Sequence, residues 1–172
     1  MSTCTDAPHD QRERSAAYAA FAQVFRYPAS SAEESVAYLA TFDPAVARGA
    51  IRLHESAYSE HERAAIHEEL LRYYEYFGVR RAPGAELPDH LVVELEFMQF
   101  LCWREERARE RGEDVTDLRR AQYDFLVRHV SKLVRSMVAH REVADEAYRQ
   151  VISELSDFID GDLQAIGAAA EA

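Results

Sequence analysis

Apolar residues recur at intervals of three and four along almost the whole of this 172-residue chain. That spacing is typical of amphipathic α-helices that pack on a shared core. The six glycines and five prolines sit where such helices should end. No alternating apolar–polar run of useful strand length and no hairpin dipeptide interrupts the pattern. The sequence therefore predicts an all-α fold, a single compact, bundle-like domain.

Local start and stop signals divide the chain into about seven helices. Tyr27-Pro28 should end the first, because the residue before a proline avoids the α region. Ser31 and Ser59 each begin a capping-box pattern, and Asp43-Pro44 suits a helix start. The second predicted helix begins at about residue 32 and the third at about residue 44. The other five lie at about 11–25, 60–77, 88–111, 116–137 and 142–166. We expect one domain over residues 1–172, with 1–10 and 167–172 flexible.

Charge and composition exclude several classes of partner. The net charge of −11 disfavours nucleic acid and anionic membranes, both of which require a basic face. No apolar run approaches the roughly 18 residues of a membrane span. No secretory signal is recognisable at the first residues, which predicts a cytoplasmic protein. Cys4 and Cys102 form no disulfide framework and no CxxC motif.

Catalytic and metal-binding signatures are missing. The chain contains neither a nucleotide-binding glycine motif nor an HExxH or ExxH pair. His90 and Glu94 are spaced four apart and could share a metal ion, but two ligands are too few for a tight site. No serine is marked as an activated nucleophile, although triads are spatial. We therefore predict a protein that is not an enzyme and has neither a metal site nor a cofactor of its own.

The segment between the fourth and fifth predicted helices is unusual for a surface. Aromatic residues crowd the end of one helix and acidic groups, with a histidine, crowd the start of the next. Aromatic rings offer apolar area and cation–π contact, and carboxylates accept bidentate bonds from arginine. The segment therefore predicts a groove for a peptide that carries apolar residues and arginines. Its residues are Tyr73, Tyr74, Tyr76, Phe77, Asp89, His90, Glu94 and Glu96.

Several of these side chains also have purely structural interpretations. Tyr74 and Phe77 fit a core, as do Leu95 and Met98 on the apolar stripe of the fifth helix. Asp89 suits a first helical turn, where the helix dipole favours a carboxylate. Glu96 fits a solvated surface charge. Neither capping nor packing explains His90, which strengthens its case for a functional role.

The stretch Leu87–Leu91 followed by Glu94–Met98 resembles the PDH(I/L)xxELxFM signature of the TorD/DmsD/NarJ chaperones. The helix end at Phe77-Gly78 resembles that family's LFxG element, with Tyr76 in the leucine-like position. Tyr27-Pro28 also matches the end of the family's first helix. The run PGAELPDHL is most similar to the branch that serves type II dimethyl-sulfoxide-reductase-like enzymes.

The resemblance implies a TorD-like fold and a chaperone of molybdoenzyme maturation in anaerobic respiration. Such a protein binds the twin-arginine signal peptide and the apo form of a catalytic subunit, and delays export until the cofactor is inserted. The family's peptide-binding positions fall on Tyr73, Tyr76, Phe77, Asp89 and His90, with Glu94 and Glu96 nearby. A non-catalytic helical adaptor of a cytosolic complex is the alternative. The client, and whether the chain is a monomer or a dimer, stay open.

Two substitutions follow from this interpretation. Because Asp89 and His90 lie beside a loop, changing either to alanine should weaken leader binding with little loss of stability. Truncating Leu95 should instead destabilise the core by about 2–5 kcal/mol.

Overall fold

Helices account for most of the computed structural model, which describes residues 11–28, 31–140 and 145–170. A 3-10 turn at Glu55–Ala57 precedes α3, and a π-helical stretch at Leu126–Val130 joins α5 to α6. Within the described ranges no β-strand forms, only an isolated bridge between His54 and His90. The all-α prediction is confirmed. The helices are α1 Gln11–Val24, α2 Ala32–Phe42, α3 Arg63–Tyr76, α4 Leu91–Glu110, α5 Thr116–Phe125, α6 Ser131–Ala139 and α7 Glu146–Ala170.

Some of the predicted helix boundaries are confirmed in detail. The Ser31 hydroxyl accepts a hydrogen bond from the Glu34 amide at 3.1 Å, so it caps α2. Gly78 follows α3 with φ +76°, and Gly112 follows α4 with φ +69°. Both adopt the left-handed conformation that a glycine reaches without steric cost, and both end their helices.

Other predicted boundaries are wrong. No third helix follows Asp43, because its carboxylate accepts from the Ala45 amide at 2.8 Å and closes a local turn instead. The Ser59 hydroxyl likewise binds the His61 amide, and the next helix begins only at Arg63. Helix α4 begins at Leu91, three residues after Pro88.

Towards the C-terminus, α7 continues through Ala170 and so includes residues that were expected to be loose. The predicted start at Glu142 and the flexible segment 1–10 lie outside the described residues.

Helix α4 lies at the centre of the core. Helix α1 packs along it, while α5 and the π-helical stretch cover another side, and α7 packs against α5 and α6. Leu91, Leu95, Met98 and Cys102 have no exposed surface, which confirms the predicted apolar stripe, and Leu101 is buried with them. Cys102 is buried beside them, and burial raises the pKa of its thiol to about 12.

A buried polar network ties the first and last helices together. The Arg14 guanidinium binds Asp162 at 2.5 and 3.0 Å and the Gln122 side-chain oxygen at 2.6 Å. The Tyr18 hydroxyl donates to Asp162 at 2.7 Å, and Gln122 donates to Glu105 at 2.7 Å. These side chains join α1, α4, α5 and α7.

None of the helices in the described part of the chain combines the length and the apolar character needed to cross a membrane.

Candidate functional site

A groove of about 1040 Å³ opens between α3, α5 and the π-helical stretch, and Arg104 of α4 borders it. Tyr73 and Tyr76 line it from the last turns of α3, and Phe77 lines it from the helix's C-cap. Tyr76 is 81% exposed, and its ring packs edge-on against that of Phe77 at 5.0 Å between centroids. Leu118 and Ala121 line the groove from α5. The groove thus offers an exposed aromatic wall opposite an aliphatic one.

The groove carries balanced charge rather than the acidic cluster expected from the sequence. Four carboxylates and four guanidinium groups line it. Arg72 pairs with Glu68 at 2.5 Å, and Arg128 pairs with Glu69. Asp117 and Asp124 make no ion pair with another described side chain. Negative charge is therefore available mainly on the α5 side. The charged lining residues are Glu68, Glu69, Arg72, Arg104, Asp117, Arg120, Asp124 and Arg128.

The π-helical stretch forms part of the groove's wall through Arg128, and the sequence pattern does not predict this stretch. The ring of Tyr73 packs edge-on against Phe125 at 5.3 Å and His129 at 5.7 Å. His129 Nδ1 lies 2.8 Å from Glu55 Oε2, which links this wall to the 3-10 turn. Such wide turns occur often at functional sites.

Asp89 lies in the interior, not in an open groove. It is fully buried, and its carboxylate lies 2.9 Å from His67 Nε2 and 3.3 Å from His54 Nδ1. It also accepts the Ser56 amide at 3.2 Å. Burial by itself would raise the pKa of Asp89, but the hydrogen bonds from His54 and Ser56 hold it well below its usual range. The expected surface placement of Asp89 is therefore wrong.

His90 is the N-cap of α4, which is the structural role that the sequence did not reveal. Its Nδ1 accepts the Val92 amide at 3.2 Å. Burial, and then the charge of His54, lower the pKa of His90 to about 4. The neutral ring must therefore carry its proton on Nε2, for which no described residue is an acceptor. His90 lines a second cavity of about 290 Å³ together with Tyr38, Leu39, Phe42, Asp43, Pro44, Arg52, Leu53 and His54.

The two glutamates of the signature differ in their surroundings. Glu94 is fully buried, and neither carboxylate oxygen has a partner among the described residues. Burial, reinforced by the charges of Glu55 and Asp89, raises the pKa of Glu94 well above its usual range and so favours the neutral form of the side chain. Glu96 forms an exposed ion pair with Arg26 and borders a cavity beneath the 78–88 loop.

The structure thus divides the predicted site into two groups. Tyr73, Tyr76 and Phe77 share the open groove, whereas the Asp89–His90 pair and Glu94 lie inside and Glu96 lies elsewhere on the surface. The charged residues of the groove were missed. Helical spacing alone would have found those of α3, because Glu69 and Arg72 lie four residues before Tyr73 and Tyr76.

A metal role for His90 and Glu94 finds no supporting ligand set. Among the described residues no group of three histidine, cysteine or acidic side chains converges in a way that could hold a metal ion. His90 Nδ1 is already occupied by the Val92 amide.

Comparison with known proteins places the chain in a family. Residues 7–139 match the family model described as nitrate reductase delta subunit, which is TorD/NarJ-like. The chain belongs to this family, and the resemblance drawn from the PDHLVVELEFM run is confirmed.

Two relatives match over most of their length. The chain is 32% identical over 169 residues to the selenate reductase assembly chaperone protein of Thauera selenatis, covering 87% of this chain and 88% of the relative. It is 31% identical over 186 residues to the chlorate reductase assembly chaperone protein of Ideonella dechloratans, covering 97% and 95%.

A third relative matches over a shorter stretch. The dimethyl sulfide dehydrogenase assembly chaperone protein of Rhodovulum sulfidophilum is 36% identical over 123 residues, covering 65% of this chain and 48% of the relative. All three relatives are assembly chaperones, not enzymes, in agreement with the prediction that this chain is not an enzyme.

Proposed function

We propose that this protein is a cytoplasmic chaperone for the catalytic subunit of a molybdopterin-dependent oxidoreductase. It holds the twin-arginine leader and the apo form of that subunit, assists insertion of the cofactor and delays export. Relatives named as assembly chaperones of selenate, chlorate and dimethyl sulfide enzymes support the class of client. The observation that carries the proposal is the exposed aromatic groove at Tyr73, Tyr76 and Phe77.

The groove suits the two kinds of side chain that such a leader contains. The apolar stretch of the leader would cover the rings of Tyr76 and Phe77 and the Leu118 side chain opposite, removing apolar surface from water. The arginines of the leader would form ion pairs with Asp117 and Asp124, because the other two carboxylates of the groove are already paired with arginines. The net charge of −11 would draw a basic leader towards the protein from a distance.

The proposal is tested by titrating the purified protein with a synthetic twin-arginine leader in a calorimeter. We expect micromolar or tighter binding that weakens with salt, because part of the attraction is between exposed charges. Tyr76→Ala should weaken binding about tenfold, as loss of an aromatic anchor does, without lowering the melting temperature.

Tyr123→Ala is the matched control, since this exposed tyrosine lies outside the groove. Asp124→Asn should weaken binding of the arginine leader more than binding of a leader with glutamines in place of its arginines. Absence of heat with any leader, or equal loss in the Tyr76 and Tyr123 variants, would remove the proposal's support.

A further inference from the structure

A second exposed surface lies on the outer face of α4, where aromatic rings alternate with guanidinium groups. Phe100, Trp103, Arg104 and Arg107 lie three and four residues apart, so they share one helical face. We refer to these four residues as the arginine–aromatic ridge. The rings of Phe100 and Trp103 stack with centroids 6.1 Å apart. The guanidinium carbons of Arg104 and Arg107 lie 5.9 Å and 6.0 Å from the centroids of Phe100 and Trp103.

The ridge is open to solvent and extends onto the neighbouring loop. Trp103 is 46% exposed, and both ridge arginines are exposed. Arg80 and Arg81 border a cavity of about 240 Å³ that Phe100 also lines. Arg80 and Arg81 therefore add two exposed guanidinium groups at the Phe100 end of the ridge, where the exposed Glu86 lines the same cavity.

Two carboxylates near the ridge are paired with arginines, and one of these arginines belongs to the ridge. Glu96 pairs with Arg26, and Glu110 pairs with Arg107 at 2.7 Å and Arg12 at 3.3 Å. Arg80, Arg81 and Arg104 form no ion pair with another described side chain, so the positive charge beside the rings lies on these three residues, on a chain whose net charge is −11. Isolated surface arginines on an acidic protein need no explanation, but arginines placed over an exposed tryptophan have the composition of a binding hot spot.

We propose that the arginine–aromatic ridge binds an acidic, aromatic-containing segment of a partner polypeptide. Carboxylates would pair with the guanidinium groups, and an aromatic side chain would extend the stack of Phe100 and Trp103. A nucleic acid is disfavoured because phosphate binding needs a basic face larger than the few guanidinium groups at this ridge. The ridge is a separate surface from the leader groove apart from Arg104, which borders both. The proposal therefore does not depend on leader binding.

Trp103 is the only tryptophan of the chain, so its fluorescence reports directly on this surface. The probe is a random copolymer of glutamate and tyrosine, titrated into the full chain at low salt with excitation selective for tryptophan. We expect a saturable change in the Trp103 emission. In the double variant Arg80→Gln/Arg107→Gln the affinity should fall about fivefold, as loss of exposed cation–π and ionic contacts implies.

Arg135→Gln is the matched control, because Arg135 is exposed and ion-paired on α6, far along the chain from the ridge. The Arg135→Gln variant should bind the glutamate–tyrosine copolymer as the wild-type protein does. A lysine–tyrosine copolymer should bind elsewhere on this acidic protein, so its affinity should not fall in the double variant. Equal affinity of the double variant and the control for the glutamate–tyrosine copolymer, or saturation by a free nucleotide but not by that copolymer, would overturn the proposal.

Discussion

His90 both caps α4 and lines a cavity, and its protonation state links the two roles. Its Nδ1 can accept the Val92 amide only while that nitrogen is unprotonated. With a pKa of about 4 in the folded protein against an ordinary value of 6.5, the ring stays neutral near pH 7. The depressed pKa arises from burial and from the neighbouring His54, while Asp89 and Glu86 oppose the shift.

This arrangement predicts a loss of stability in mild acid. Because the folded-state pKa lies below the unfolded one, the His90 contribution is complete above about pH 6.5 and disappears as the pH falls towards 4. The loss should reach about 3 kcal/mol. His90→Ser keeps a capping oxygen but cannot titrate, so urea unfolding of this variant should lose less stability than the wild type between pH 7 and pH 4. Parallel curves for the two proteins would contradict the assignment.

Asp89 is expected to act on stability, which reverses the interpretation from sequence. Its carboxylate joins the 3-10 turn to α3 through Ser56 and His67. Asp89→Ala should lower the free energy of unfolding by about 1–3 kcal/mol, since it leaves the half-buried Ser56 amide and His67 ring without their acceptor. The folded fraction should still bind the leader, because the side chain is sealed from the groove. Unchanged stability together with weaker leader binding would restore the original interpretation. An exposed acidic control is Glu154→Ala.

At the scale of elements, the Arg14 network should hold α1 and α7 in place. Arg14→Leu leaves Asp162 and Glu105 buried beside an apolar side chain, which should cost about 3–5 kcal/mol in denaturant unfolding. Arg12→Leu is the control: Arg12 lies on the same helix, but its ion pairs with Glu106 and Glu110 are at the surface, so the loss of stability should be much smaller than that of Arg14→Leu. Similar losses in the two variants would show that the network does not hold the helices together.

The elements also show how far sequence reasoning reaches. Apolar periodicity found α1, α3, α4 and α7, because burying one helical face dominates the energy of such segments. Reasoning from periodicity and start signals failed after Asp43, because the Asp43 carboxylate accepts a hydrogen bond from the Ala45 backbone amide and forms a turn in place of a helix. The π-helical stretch was also missed, because one wide turn hardly changes the spacing of apolar residues at intervals of three and four.

Part of the candidate site could be predicted from helical periodicity. The spacing of the aromatic residues at the end of α3 is enough to place their rings close together. The Asp89–His90 pair could not, because its hydrogen-bond partners His54, Ser56 and His67 come from elements distant in sequence. A polar cluster in sequence does not distinguish an open site from a buried junction.

At the scale of the whole molecule, charge is distributed unevenly. The overall charge of −11 would attract a basic leader from a distance, whereas the lining of the groove itself combines balanced charge with three aromatic side chains. Long-range attraction and close contact thus arise from different parts of the surface. The arginine–aromatic ridge on α4 adds a face of opposite sign, suited to a partner of different chemistry.

The most direct measurement places a photoactivatable cross-linker in the apolar stretch of a twin-arginine leader and maps the cross-linked residues by mass spectrometry. We predict cross-links to Tyr73, Tyr76, Phe77 and the facing residues of α5. Cross-links confined to α7 or to the segment between α2 and the 3-10 turn would contradict the assignment of the groove as the leader's binding site.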